Sequence, residues 1–249
     1  YLQKELDFPD AQGYTLYVRG EHAAWSLLLS DYRLVIANSS EVTQMNDIAK
    51  KKSFWSKYAG IYDGFMKKDA GTYRRMYELI RPVVADKNVL ELACGTGLIS
   101  KNIVNTASSV EACDSSPEMI AVAKKDCHSA KLHFSVQDMT ALPYTSGSFD
   151  VVIAANVLHI IGDPEKALSE ISRVLAPGGI LIAPTFTHAK IGLAGKLRAS
   201  LMKLAGFPLE HKWSPESYAD FITSHGWNIT KKTVLPASFP LTYIECRKA

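Results

Sequence analysis

Strand-like and helix-like segments alternate through most of this chain, and that order restricts its fold more than any other feature. Apolar, β-branched runs at NVLELA (88–93), SVEACD (109–114), KLHFSV (131–136), FDVVIAA (149–155) and GGILIAPTF (178–186) read as strands. Helical periodicity falls near 47–66, 72–86, 97–106, 117–127, 164–175, 189–205 and 215–225. Strand and helix in turn mean βαβ units, hence a parallel sheet with helices on both faces. Two helix starts carry a cap residue before a first-turn proline, Ser116-Pro117 and Asp163-Pro164. NITKKTVL (228–235) and FPLTYIECR (239–247) are joined by too few residues for a crossover, so they pair antiparallel. The expected fold is α/β: a doubly wound, seven-stranded, mostly parallel sheet closed by an antiparallel C-terminal hairpin strand.

Size and composition support a buried core. The 249 residues are 47% hydrophobic and 21% charged, which suits one large α/β domain and excludes disorder and small disulfide scaffolds. A net charge of +3 is too mild to imply a nucleic-acid partner. Cys94, Cys113, Cys127 and Cys246 form no CxxC pair and no zinc spacing, so no metal is expected and a reduced, cytoplasmic chain is. No apolar run approaches the roughly 20 residues of a bilayer span, so no integral membrane segment is expected. Residues 1–44 differ in character: they carry Lys4, Arg19 and Arg33 against six acidic residues, a net of −3 that leaves +6 for 45–249. Short strands at 14–20 and 32–40 are expected there, in an N-terminal extension of unknown role before a domain over 45–249.

VLELACGTG (89–97) is a buried strand that runs into a glycine turn and opens a helix. Open α/β sheets bind ligands beyond the carboxyl ends of such strands. Gly95 and Gly97 allow a sharp turn and close approach of the backbone to a ligand. Asp114 ends the next strand, about 20 residues on, where a carboxylate can accept both hydroxyls of a ribose. Its other reading is a cap for the helix at Pro117, a task that Ser115 and Ser116 can also perform. A nicotinamide dinucleotide, and so an NAD-dependent oxidoreductase, is disfavoured. Its fingerprint needs a third glycine where this chain has Ser100, and Glu91 at the loop would repel a pyrophosphate while suiting a cationic ligand.

Taken together, these motifs resemble the class I S-adenosylmethionine-dependent methyltransferases over roughly residues 46–249. ELACGTG (91–97) is similar to the family's first motif, which implies Glu91, Ala93, Gly95 and Gly97 along the methionine part of the cofactor. Ala93 departs from the glycine more common there. VEACDSSPEMI (110–120) is similar to the second motif, implying Asp114 and the adjacent Ser115 at the ribose and Met119 against the adenine. VQDMTALPYTSGSFDVV (136–152) is similar to the third, implying that Asp138 accepts from the adenine amine with Met139 alongside. AANVLHII (154–161) and DPEKALSEISRVLAPGG (163–179) resemble the subgroup of ubiquinone and menaquinone C-methyltransferases and many small-molecule methyltransferases.

The acceptor side is less defined. Asn156 stands where nucleic-acid and protein amine methylases carry an Asn/Asp-Pro-Pro-aromatic motif, and the NVLH found here argues against those substrates. Asn156 is counted with the cofactor contacts. His159 reads as a general base or substrate contact, or as a histidine that seals the pocket floor. Tyr58 and Tyr62 read either as core packing at helical spacing or as site residues, since in the resembling subgroup this helix closes over the cofactor. HAKIGLAGKLRASLMKLAGF (188–207) is an amphipathic cover for the substrate, or a surface that engages a lipid or prenylated substrate at a membrane. The expected function is methyl transfer to a small organic acceptor, with quinone-type C-methylation and amine or phospholipid N-methylation both open. An S-adenosylmethionine-binding module without turnover is the alternative. Oligomeric state is not legible.

Overall fold

The computed structural model describes residues 54–60, 62–125, 127–188 and 209–249. The expected strands at 14–20 and 32–40, the domain boundary at 44/45 and the helix at 189–205 lie outside these residues. A helical turn over 54–58 and helix α1 (Tyr62–Met66) fall in the expected first helix, followed by a 3-10 turn at Lys67–Asp69. Helix α2 (Ala70–Val84) buries Tyr73, Met76, Tyr77, Ile80 and Val84, a spacing of three and four that lays one face on the sheet.

The strands are β1 (Asn88–Leu92), β2 (Ser109–Asp114), β3 (Leu132–Val136), β4 (Phe149–Ala154), β5 (Leu175–Ile182), β6 (Thr185–Phe186), β7 (Trp227–Leu235) and β8 (Leu241–Lys248). Helices α3 (Ser100–Ile103), α4 (Pro117–Lys124), α5 (Pro164–Val174) and α6 (Pro215–Ser224) complete the described elements. The sheet order is β3-β2-β1-β4-β5-β8, with β6 and β7 also paired to β8. Strands β1 to β5 run parallel and β8 antiparallel. The chain therefore leaves β1 toward one edge and resumes at β4 on its other side, which makes the β1/β4 boundary the switch point.

Among the described residues there are eight strands, not the expected seven. GGILIAPTF divides at Ala183-Pro184 because proline has no N–H for the ladder. The register against β8 is unbroken across the gap: Ile182 faces Glu245, Ala183 N–H donates to the Ile244 carbonyl, and Thr185 faces Thr242. The Pro184 carbonyl turns to Asn156 instead, accepting from its N–H at 2.8 Å.

Two apolar layers enclose the sheet. Leu90, Leu92, Val152 and Ala154 face α5 and α6 through Leu168, Ile171, Tyr218 and Ile222. Val89, Val151 and Ile153 face α2, α3 and α4 through Met76, Ile80, Ile103 and Ile120. Strand alternation puts Glu91 on the second face, between Val89 and the glycine turn, where an apolar residue would otherwise sit. Both expected caps form: Ser116 accepts from Met119 N–H at 3.2 Å and Asp163 from Lys166 N–H at 2.8 Å.

Candidate functional site

Three left-handed residues in alternation build the turn after β1: Ala93 (φ 50°), Gly95 (φ 54°) and Gly97 (φ 77°). The two glycines supply that conformation freely, whereas Ala93 holds it at a cost of about 1 kcal/mol. A Cβ on Gly97 would lie 2.8 Å from the Phe134 ring, so the turn is closely backed from β3. A Cβ on Gly95 would meet Tyr62 at 3.7 Å, so this turn lies directly under α1. At the end of β4, Asn156 is also left-handed (φ 54°). Both strand ends at the switch point thus carry a strained non-glycine residue, a placement common at ligand sites.

Asp114 ties the glycine turn to β2. Its Oδ2 accepts from Gly95 N–H and its Oδ1 from Ser116 N–H, both at 2.9 Å. Ser116, not Asp114, caps α4, and each carboxylate oxygen keeps a second lone pair for a ligand. Ser115 stands beside it, half-buried. Burial raises the Asp114 carboxyl above its usual range, with the backbone donors of Ser116 and Gly95 pulling the other way.

Glu91 is 2% exposed, and its Oε2 has no hydrogen-bond partner. Burial pushes its carboxyl up to about 8, against hydrogen bonding from Ser100 and with the Asp114 charge adding to the rise. A ligand ammonium would supply the missing donor and favour the charged carboxylate, whereas a phosphate would be repelled.

Glu91, Ala93, Cys94, Ala155 and Asn156 line one cleft, with Tyr62 and Tyr73 from the helices above. Asn156 Nδ2 donates to the Tyr73 hydroxyl at 3.0 Å, and Asn156 Oδ1 is buried without a partner. Burial first, then the Asp114 and Asp63 charges, push the Tyr62 hydroxyl up to about 12, so it stays protonated. Thr96, itself buried, donates to Asp63 and fixes α1 to the turn. The cleft has only about 20 Å³ of interior space.

Tyr58 does not line this cleft. Its ring packs on Phe54 at 4.5 Å and lies beneath Lys57, while Trp55 bridges the same turn to Tyr62. Met119 is buried beneath the Asp114 turn at 2% exposure. Asp138 is exposed after β3, where its Oδ1 accepts from the N–H and hydroxyl of Thr140. Met139 packs into the core on the α5 side. The loop carrying both is clamped to α5 by Glu170, which accepts from Leu142 N–H, and by Arg173, which donates to the Leu142 and Tyr144 carbonyls. Arg173 lowers the Glu170 carboxyl to about 2.

His159 is on the other side of the switch point. It is 3% exposed, and its Nδ1 lies 2.8 Å from Thr185 Oγ1. Burial, then repulsion from His188 and His211, lowers its imidazole to about 4, so it is neutral at physiological pH. Tyr73, Thr185, His188 and His211 escape a reading of the sequence because no local motif carries them. Among the described residues no group of His, Cys, Asp or Glu is placed to hold a metal ion.

Residues 90–183 match the model of a methyltransferase domain. The matched span runs from inside β1 to Ala183 and contains the glycine turn, Asp114 and the Asp138 loop. Over that span the chain is similar to methyltransferase domains. It is 35% identical over 120 residues to the demethylmenaquinone methyltransferase of Renibacterium salmoninarum, covering 48% of this chain and 50% of that one. The chain spans about half the length of the demethylmenaquinone methyltransferases it matches. A longer similarity, 29% over 222 residues, covers 85% of the chain and 9% of the reducing polyketide synthase Preu2 of Preussia isomera. In fold, the chain matches the structure of a DhpI–SAH complex with a TM-score of 0.61 at 24% identity, over 81% of this chain and 97% of that one.

Proposed function

We propose that this chain transfers a methyl group from S-adenosylmethionine to a small organic acceptor by in-line displacement. The observation that carries the reading is the orphaned carboxylate oxygen of Glu91, buried under the glycine turn and in want of a positive ligand group. In this reading Glu91 and the turn at Ala93, Gly95 and Gly97 hold the amino-acid end of the cofactor. Asp114 with Ser115 takes the ribose, Met119 and Met139 flank the adenine, and Asp138 accepts from its amine. Asn156 closes the β4 side through its unpartnered Oδ1. When bound, the cofactor supplies an electrophilic methyl on a cationic sulfur. The protein's task is to exclude water and align the acceptor, a contribution that reaches roughly 7–11 kcal/mol when geometry is good. Tyr62 covers the site and presents its ring to the cation, with Tyr58 on the helical turn that precedes it.

The acceptor class proposed first is a quinone-type ring carbon, by analogy with the demethylmenaquinone methyltransferases. A second reading, an enolisable carbon of a polyketide-like acceptor, is favoured by the 222-residue similarity to the polyketide synthase. Both acceptors react as carbon nucleophiles after losing a proton, the first from a hydroxyl of its reduced hydroquinone form and the second from the hydroxyl of its enol. Transfer of labelled methyl from S-adenosylmethionine to a demethylmenaquinone kept reduced to its hydroquinone with dithionite, and to a β-ketoacyl thioester, run side by side, separates them. Label in neither, with the cofactor bound, would leave a binding module without turnover. Among the described residues no helix is long and apolar enough to cross a membrane. The possible peripheral surface at 188–207 lies, beyond His188, outside the described residues.

A further inference from the structure

We infer that His159, His188 and His211 form an oxygen-binding site for the acceptor, which takes an enol or phenol hydroxyl and receives its proton. The inference rests on the methyl-transfer reading above and adds the chemistry of the acceptor to it.

The three histidines come from separate stretches of chain and are pinned together by backbone. The N–H groups of Glu210 and His211 both donate to the His159 carbonyl, at 3.1 and 3.0 Å, and His188 N–H donates to the Trp213 carbonyl at 2.7 Å. His188 Nδ1 and His211 Nε2 are both buried with no hydrogen-bond partner. Buried polar atoms are nearly always paired, so two orphaned ring nitrogens in one cluster call for a ligand. Trp213 stacks on His211 at 4.9 Å and 7°, and Phe239 lies 6.0 Å from His188, so the polar atoms are bounded by flat apolar surface. That combination suits a planar oxygenated molecule. Metal binding is not the reading, since no ligand set among the described residues has the geometry.

The location fits the reaction. Asn156, which lines the cofactor cleft, precedes His159 by three residues, and three residues span at most roughly 11 Å. Thr185 holds Nδ1 of His159, which leaves the far side of the ring for the acceptor. Among the described residues, Lys212 lowers the His188 imidazole after burial does, and the backbone of Glu210, the acidic residue next to His211, holds His159. Burial disfavours the charged form of His159 and His188 while the cluster is empty, and an anionic oxygen beside it would favour taking up a proton. In the step proposed, the acceptor O–H bond breaks and its proton forms an N–H bond on an imidazole. The freed electron pair moves through the enolate to carbon, which takes the methyl as the carbon–sulfur bond breaks. The products are a neutral thioether, the methylated keto form and a protonated histidine that later discharges to water.

The test uses the chain saturated with S-adenosylhomocysteine and two probes, 2-hydroxy-1,4-naphthoquinone, an acidic enol, and its O-methyl ether. Calorimetry in buffers of different ionisation heat reads affinity and proton uptake together. The hydroxy compound should bind about tenfold or more tightly than the ether and take up close to one proton, while the ether takes up none. His188→Gln and His211→Gln should each weaken the hydroxy compound about tenfold and leave S-adenosylhomocysteine affinity unchanged, which also reports that the variants are folded. Equal affinity for the two probes in the wild type, or binding and uptake that persist in the variants, would overturn the inference. Failure to bind S-adenosylhomocysteine is a different result, and it removes the methyl-transfer reading itself.

Discussion

The two rims of the switch point are built differently. The β1/β2 rim is local: Glu91, the glycine turn, Asp114 and Ser116 fall within 26 residues and are joined mostly by backbone donors. The β4/β6 rim is assembled from afar, since His159, Thr185, His188 and His211 meet only through tertiary contacts. A site that must recognise one constant molecule can be encoded in a short motif whose backbone does the binding. A site for a variable acceptor is made of side chains that can change one at a time.

If the rims are separable, a change at one should leave the other's ligand untouched. The largest effect is expected at Glu91. Folded, it keeps its proton up to about pH 8, whereas unfolded it ionises near 4.5. The folded state therefore binds the extra proton between these values, and stability falls as pH rises through that window. Glu91→Gln should abolish this fall and raise stability above pH 8 by a few kcal/mol, read by urea unfolding across pH, while weakening cofactor binding. Gly97→Ala comes next. Its Cβ would strike Phe134 in a left-handed position, and a loss of about 2–3 kcal/mol with a lower Tm is expected.

Asp114→Asn should reduce S-adenosylhomocysteine affinity about 10- to 100-fold by calorimetry, the range of one or two charge-assisted hydrogen bonds, with little change in stability. On the opposite rim, Thr185→Val should destabilise by about 1–2 kcal/mol by orphaning His159, yet leave cofactor affinity unchanged. A parallel fall in cofactor affinity would break the separation of the rims. The smallest effect is expected of Ala93→Gly, a gain of about 1 kcal/mol in thermal unfolding from relief of the left-handed strain.

The legibility of the sequence follows the same division. Alternation in period placed the described α-helices and seven of the eight described strands, because parallel strands and their crossover helices are local patterns. The expected 178–186 strand differs at its start, which lies at Leu175, and at Pro184, where the chain stays in register but cannot donate. Glu91 and Asp114 were legible because a strand–glycine turn–helix unit has few uses. The strain at Ala93 and Asn156 was not, since a left-handed φ in a non-glycine residue leaves no mark in composition. The imidazole cluster was hidden too. His159 was visible beside Asn156, but its partners lie 29 and 52 residues further on and only folding identifies them.

The central claim is that the β1/β2 rim holds a sulfonium nucleoside, and calorimetric titration with S-adenosylhomocysteine beside NAD tests it directly. The account predicts micromolar binding of the first alone, lost in Asp114→Ala. Binding of NAD, or no binding of S-adenosylhomocysteine by the folded chain, would contradict it.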